Sequence, residues 1–242
     1  MKLTVIGCGD AFSSEGRRNT SFLLQSKSKN ILMDFGATSL YGLKSLAIDP
    51  SDIDMVIISH FHGDHFGGIP FLIINRQYNE VAIKRLVIAG PKGVKSRIYD
   101  LQKNMYPGTE ELINDDKLDF VEFDSDNHQE IDEMNLWTTE VIHSPPSNPH
   151  GYKLTIEGKT IAYSGDTEWT EKLNKLANET DLFICECNDL HNEVPGHLSY
   201  DLLQPHLEKF NSKRVVLTHM GTEMILAKPE AELLNDGIII EF

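Results

Sequence analysis

Four apolar runs rich in β-branched residues each end on a side chain able to bind a metal. "DMVIISH" runs into His60, "LWTTEVIH" into His143, "TIAYSGD" into Asp166 and "RVVLTH" into His219. Such runs read as buried strands. Ligand-bearing loops at strand ends can converge on one edge of a sheet, where a rigid core positions them. A histidine or aspartate at one strand end is ordinarily just solvated. Four together restrict the chain to a fold that gathers separate strand ends at one place.

A dense cluster reinforces the point. "SHFHGDHFGG", residues 59–68, holds three of the ten histidines. In an extended His60-x-His62 segment the two side chains project to the same side, so they can grip one ion. Asp64 and His65 follow as the chain turns toward a helix, and they can grip a second. Gly63 permits the bend, and Gly67 and Gly68 permit close approach near the helix start. Nitrogen and carboxylate ligands without thiolate suit zinc, and also manganese or iron. The seven candidates are His60, His62, Asp64, His65, His143, Asp166 and His219. Seven exceed one tetrahedral ion and suit two divalent ions that share a carboxylate and a bridging water.

The rest of the chain reads as mixed α/β. Strand-like runs recur as "LTVIG", "SFLLQS", "NILMDFG" and "RLVIAG", then as "YKLTIEG", "TDLFICE" and "DGIIIEF". "IEGKT" reads as a hairpin around Gly158. Helical periodicity predicts helices near 38–47, 66–77, 92–104, 168–178, 199–210 and 229–235. Ser199 is the expected N-cap of the fifth, with Leu202, Leu203 and Leu207 on one face. No linker or short repeat divides the chain. One domain over 1–242 is expected, built of two α/β halves at roughly 1–130 and 131–242.

Composition limits the partners. The net charge is −15, which repels polyanions, so no stable nucleic-acid binding is expected without a local basic patch. "KRLVIAGPKGVKSR" at 84–97 is one modest candidate. No apolar run approaches the roughly 20 residues of a membrane helix, and the start reads as a first strand and not as a signal peptide. Cys8, Cys185 and Cys187 are too few for a disulfide framework, which points to the cytoplasm.

"HFHGDH", followed in order by His143, by Asp166 in "YSGDT" and by His219 in "LTHMG", resembles the motif series of the metallo-β-lactamase superfamily. "GCGDAF…GRRNTSFLL" and "ILMDFG" resemble its first strands. The resemblance covers nearly the whole chain. It implies a four-layer αββα sandwich with a dinuclear metal site at one edge of the two sheets. It further implies that His60, His62 and His143 hold one metal, that Asp64, His65 and His219 hold the other, and that Asp166 bridges. "EVIHSPPSNPHGYKL" and "GHLS" at 196–199 are similar to the ribonuclease Z-like, phosphodiesterase-type branch. That likeness implies two catalytic residues. His197 would protonate the leaving oxygen, and Asp64 would help orient a metal-bridging hydroxide. Glu186 and Asp34 become candidates for orienting ligand imidazoles. A homodimer is an expectation for the branch.

Transfer-RNA-processing members carry a long flexible arm between the Gly-Tyr and Ser-Gly-Asp-Thr motifs. "GYKLTIEGKTIAYSGDT" leaves room only for a hairpin. The expected function is therefore a dinuclear zinc phosphodiesterase acting on a small phosphodiester or short oligonucleotide. The alternatives are a ribonuclease Z-like RNA endonuclease, a lactone or thioester hydrolase, and a non-catalytic metal-binding regulatory protein. His128, His150, His191 and His206 are expected at the surface, with the mouth of the site as the alternative place for His150 and His191. Arg17, Arg18 and Asn19 are expected in a solvated loop or near an anionic substrate. Cys8 is expected to be buried, and residues 70–78 to form helix core.

Overall fold

The computed structural model describes residues 1–78, 84–114 and 116–242. Its first sheet contains β1 (Lys2–Gly7), β2 (Ser21–Gln25), β3 (Asn30–Met33), β4 (Met55–Ile57), β5 (Leu86–Pro91) and β6 (Leu118–Phe123). The second contains β7 (Asn127–Ile131), β8 (Met134–Glu140), β9 (His150–Ile156), β10 (Lys159–Tyr163), β11 (Leu182–Glu186) and β12 (Val215–Thr218). The last strand, β13 (Ile239–Glu241), returns to the first sheet and pairs antiparallel with β1. The sheet orders are β13-β1-β2-β3-β4-β5-β6 and β12-β11-β10-β9-β8-β7. Each sheet joins an antiparallel meander to a run of parallel strands, β3 to β6 in one and β10 to β12 in the other.

Strand alternation divides the core into layers. On β1 to β5, Leu3, Val5, Phe22, Leu24, Ile31, Met33, Met55, Ile57, Val87 and Ala89 belong to a buried cluster shared with the second sheet. Their neighbours Ile6, Leu23, Leu32, Val56, Ile58, Leu86 and Ile88 belong to another cluster. That cluster includes residues of α1 (Ser39–Ser45), α3 (Ile69–Tyr78) and α4 (Val94–Met105). Between the sheets the Phe22 and Tyr163 rings meet edge to face at 5.7 Å, a favoured aromatic geometry. On the second sheet, Leu173 and Leu176 of α5 (Lys172–Ala177) and Leu203 of α6 (Tyr200–Leu207) join the shared core. The layers are helix, sheet, sheet, helix, the expected αββα sandwich.

The "IEGKT" hairpin forms with Glu157 and Gly158 both at positive φ, 51° and 74°, as a two-residue turn between twisted strands requires. Five of the six helices occur where periodicity places them. The sixth does not: the chain is helical over α7 (Thr222–Ala227) and irregular over 229–235. Lys228 takes a left-handed conformation at φ 48°, and Pro229 cannot continue a helix. Leu203 is buried, but Leu202 is exposed, so α6 buries a narrower face than the leucine spacing suggests. Residues 70–78 do form helix core, with Leu72 and Ile73 buried. Among the described residues no helix is long and apolar enough to cross a membrane.

Candidate active site

Every sequence-derived metal candidate lies just beyond a strand end or at the start of a short helix. His60 follows β4, His143 follows β8, Asp166 follows β10 and His219 follows β12. His62 is the N-cap of α2 (Gly63–Phe66), which carries Asp64 and His65. Asp34 follows β3, and Glu186 is the last residue of β11. Parallel strands in the two sheets thus deliver their carboxyl ends to one edge, the usual place for a site in such sheets. Two backbone hydrogen bonds tie the segments across it: His150 N–H donates to Ser59 O at 3.0 Å, and Phe61 N–H to Ser147 O at 2.8 Å.

The seven candidates come together in two groups, each with potential ligand atoms within 4.8 Å of one another. One is His60, His62 and His143; the other is Asp64, His65, Asp166 and His219. Asp166 Oδ2 lies 3.7 Å from His60 Nε2, 3.2 Å from His65 Nε2, 4.0 Å from His143 Nε2 and 3.3 Å from His219 Nε2. It stands between the groups, where a shared ligand would.

The hydrogen bonds around these rings set their tautomers. His143 Nδ1 lies 2.7 Å from the Gly196 carbonyl, which can only accept. His65 Nδ1 lies 2.7 Å from Asp34 Oδ2. His60 Nδ1 meets Ser59 Oγ at 3.0 Å, and that hydroxyl already donates to Asp34 Oδ2 at 2.7 Å. His219 Nδ1 meets Thr20 Oγ1 at 3.3 Å, and that hydroxyl donates to Gly9 O at 3.0 Å. In all four rings the proton belongs on Nδ1, and the Nε2 lone pair is left for the cluster. Outer partners that fix ring tautomers in this way are the usual support of metal-binding imidazoles.

The centre fits a cation. His60 Nε2, His65 Nε2 and Asp166 Oδ1 are buried without a hydrogen-bond partner, an arrangement that is costly unless something else satisfies them. Burial opposes a charge on His65, but Asp166, Asp64 and Asp34 overcome it and raise its pKa well above the usual histidine value, so Nε2 holds a proton that a metal cation would replace. Burial would raise the Asp166 carboxyl, yet His219 and His65 hold it well below the usual range. Burial, and then His65, push the His60 imidazole well down, so it stays neutral and able to bind metal. Three carboxylates around one histidine call for positive charge at that point, and oxygen and nitrogen donors of this kind suit a divalent metal.

A third group joins His143 and Asp166 with His197. His197 Nδ1 donates to Glu186 Oε1 at 3.0 Å. Its ring stacks on His219 at 5.2 Å between centroids and 12° between planes. Burial alone would lower the His197 pKa, but the Glu186 carboxylate raises it to about 9. Glu186 is fully buried and also accepts the Thr167 and Leu198 amides at 2.6 and 3.2 Å.

Comparison with known proteins places the chain. The family described as Anti-Pycsar protein Apyc1 matches residues 1–234. The chain belongs to that family. It is similar to the uncharacterized protein Rv1339 of Mycobacterium tuberculosis, 28% identical over 245 residues, covering 96% of this chain and 86% of that protein. It is similar to the ribonuclease Z of Clostridium acetobutylicum, 24% identical over 294 aligned residues that cover all of this chain and 94% of the ribonuclease. Its fold is similar to the crystal structure of YhfI, a metallo-β-lactamase fold protein of Bacillus subtilis. That match has a TM-score of 0.79 at 23% identity and covers 99% of each chain. This Apyc1 family member is a metal-dependent hydrolase of the metallo-β-lactamase fold, on the ribonuclease Z-like side of that superfamily.

Other sequence expectations divide. Asp34 meets the ring of His65, a metal candidate, as expected, whereas Glu186 meets the ring of His197, which is not one of the seven. His128 and His191 are exposed, but His150 is buried at 3% exposure, with its ring 5.5 Å from that of Phe123, so it supports the fold and is no surface residue. His206 stacks on Trp169 at 3.7 Å. Arg17 is turned toward Leu234 O and Asn235 Oδ1, and Arg18 toward Ile6 O and Asp236. Both tie loops together, so neither is free for an anionic substrate. Asn19 Nδ2 donates to Asp10 O at 3.2 Å, and Cys8 is buried as expected. The basic run at 84–97 is partly neutralised: Lys84 pairs with Asp54, and Arg85 with Asp119 and Asp132. Sequence reading missed Ser59, Thr20 and Gly196 as ring-orienting groups. Only their positions in or near the motifs hinted at it.

Proposed function

We propose that this hydrolase is a zinc phosphodiesterase with two metals, acting on a small or short phosphodiester such as a cyclic nucleotide. His60, His62 and His143 would hold one metal, Asp64, His65 and His219 the second, and Asp166 would be shared. When bound, the cations supply Lewis-acid polarisation and neutralise charge on the phosphoryl group. Asp64, one of the less enclosed members, orients the attacking water. Gly196, Asp34, Ser59 and Thr20 fix the imidazole tautomers. His197 gives its proton to the departing alkoxide, while Glu186 holds the ring and favours its protonated form.

The observation that carries this reading is the His197–Glu186 pair beside the cluster. A thioester, whose thiolate leaves readily, needs no proton donor there, whereas a phosphodiester with a ribose alkoxide does. A small substrate is favoured by the two-residue turn at Glu157–Gly158, by the net charge of −15, and by the comparison with the Clostridium ribonuclease. The 294 aligned positions against 242 residues mean that the ribonuclease carries segments with no counterpart here. Residues 1–242 act as one unit in this reading, and buried free cysteines suit a reducing cytoplasm.

The test compares His197→Ala with the unsubstituted protein on diesters with nitrophenol and ribose leaving groups, and on a lactone. General acid catalysis is worth about 10²–10⁴-fold, so loss should be of that order with ribose and much smaller with nitrophenol. Equal losses on both diesters would remove the acid role. Turnover of the lactone alone would replace the phosphodiesterase reading.

A further inference from the structure

Glu168 holds both ends of the hydrogen bond that orients His143. Its Oε1 accepts the Gly196 N–H at 2.8 Å, and the Gly196 carbonyl accepts from His143 Nδ1 at 2.7 Å. Its own N–H donates to Ile142 O at 2.7 Å, one residue before His143. We propose that Glu168 is a positioning residue: it fixes the Gly196 loop against the His143 segment, and so sets the affinity of the three-histidine group for its metal. This rests on the two-metal reading above.

The topology creates the need. His143 stands beyond the end of β8, and Gly196 lies in the irregular stretch between β11 and α6. No sheet ladder ties one to the other, and segments without such ladders open most readily. The two residues after Asp166 join them. Thr167 Oγ1 accepts the Ile142 N–H at 3.1 Å, while the Glu168 N–H takes the Ile142 carbonyl. Both backbone polar groups of Ile142 are therefore paired with one dipeptide. The Thr167 N–H donates to Glu186 Oε1 at 2.6 Å, the atom that also accepts from His197 Nδ1. These contacts secure the backbone before His143 and the ring of His197. Gly196, between them, is left to the Glu168 carboxylate.

A carboxylate suits that task. Among the described residues no backbone carbonyl accepts the Gly196 N–H. An ionised acceptor makes a hydrogen bond roughly twice as strong as a neutral one. Without it the glycine, at φ 85°, loses the contact that keeps its carbonyl at the His143 ring. Glu168 is exposed and belongs to none of the metal-binding groups. Its replacement therefore leaves the core and the ligand set intact.

The effect belongs to one metal of the two. His143 groups with His60 and His62, whereas Asp64, His65, Asp166 and His219 form the other group. That group has its own support, with Thr20 Oγ1 at His219 Nδ1 and Asp34 Oδ2 at His65 Nδ1.

The test is zinc uptake by the full, demetallated chain in competition with a chromogenic chelator. It compares the unsubstituted protein with Glu168→Ala, Glu168→Gln and Thr20→Val. Loss of an outer partner of a metal-binding imidazole costs about 10–100-fold in affinity. Glu168 acts through one intervening residue, so Glu168→Ala should weaken one uptake step by about tenfold, the low end of that range, and leave the other unchanged. Glu168→Gln keeps an acceptor oxygen in the same place and should recover most of the loss. Thr20→Val removes the hydroxyl facing His219 and should weaken the other step, so the double variant should lose on both. Unchanged affinities in Glu168→Ala, equal weakening of both steps, weakening of the same step as Thr20→Val, or no recovery in Glu168→Gln overturns the role of Glu168. Uptake of fewer than two zinc ions by the unsubstituted protein overturns the two-metal reading beneath it.

Discussion

Glu186 Oε1 stands 3.0 Å from His197 Nδ1, and the same buried carboxylate accepts the amides of Thr167 and Leu198. It therefore fixes the segment that follows Asp166 and the segment that carries His197 to each other. The carboxylate also holds a proton on the ring, against burial, up to about pH 9.

The sign of the pH effect follows. Below the His197 pKa the imidazolium can donate; above it, it cannot. Bound cations draw that pKa down from about 9, so kcat/KM for a ribose leaving group should fall on a limb at or below that value. Glu186→Gln removes the stabilising charge and should move the limb to lower pH. A nitrophenol substrate should show little of this limb. An unmoved limb in Glu186→Gln would detach Glu186 from the proton.

Asp34 accepts from Ser59 N–H, Ser59 Oγ and His65 Nδ1, each at 2.7 Å. It adopts φ 58°, a conformation asparagine also tolerates. Asp34→Asn should keep the fold yet weaken metal affinity about 10–100-fold, the usual effect of removing an outer carboxylate. Chelator competition measures it, and affinity unchanged would rule out the orienting role.

Gly196 has φ 85°, and a Cβ there would stand 2.5 Å from His143 Nδ1. Gly196→Ala should displace that ring and cost on the order of 10²-fold in activity, as small misplacements do. Gly158 has φ 74° with nothing within 4 Å of its Cβ position. Gly158→Ala should cost about 1–3 kcal/mol of stability through backbone strain and leave kcat unchanged. Comparing turnover and unfolding of the two variants separates site geometry from glycine strain in general.

Asp181, one-tenth exposed, accepts from Lys213 at 2.8 Å, Thr160 N–H at 2.9 Å and Lys159 at 3.2 Å. The Lys213 hydrogen bond leads in lowering its pKa to about 2. A carboxyl lowered on folding adds stability above its unfolded pKa of 3.8 and loses it as pH falls through 2. Because the lysines are exposed, Asp181→Asn should cost only about 1 kcal/mol at pH 7. Denaturant unfolding should show that difference closing between about pH 4 and pH 2.

The residues that converge were legible because the chemistry is written next to strong strand signals: the runs before His60, Asp166 and His219 are almost wholly apolar. Two of the four outermost strands, β6 and β7, were not. β6 carries Asp119 and Glu122, and β7 carries His128 and Glu130. Each is the last strand of its sheet, and edge strands carry charge that masks the β pattern. The helix expected at 229–235 fails for a local reason, Pro229, and forms earlier. His150 misled because its burial depends on packing against Phe123, far away in sequence. The roles of Gly196, Thr20 and Glu168 exist only through contacts across 53, 199 and 28 residues respectively, which no local pattern encodes.

The most direct measurement is turnover of bis(p-nitrophenyl) phosphate by chelated protein as zinc is restored stepwise. Activity that rises to a plateau at two metals per chain is the predicted result. A plateau at one metal, or no turnover at full loading, would contradict the dinuclear phosphodiesterase.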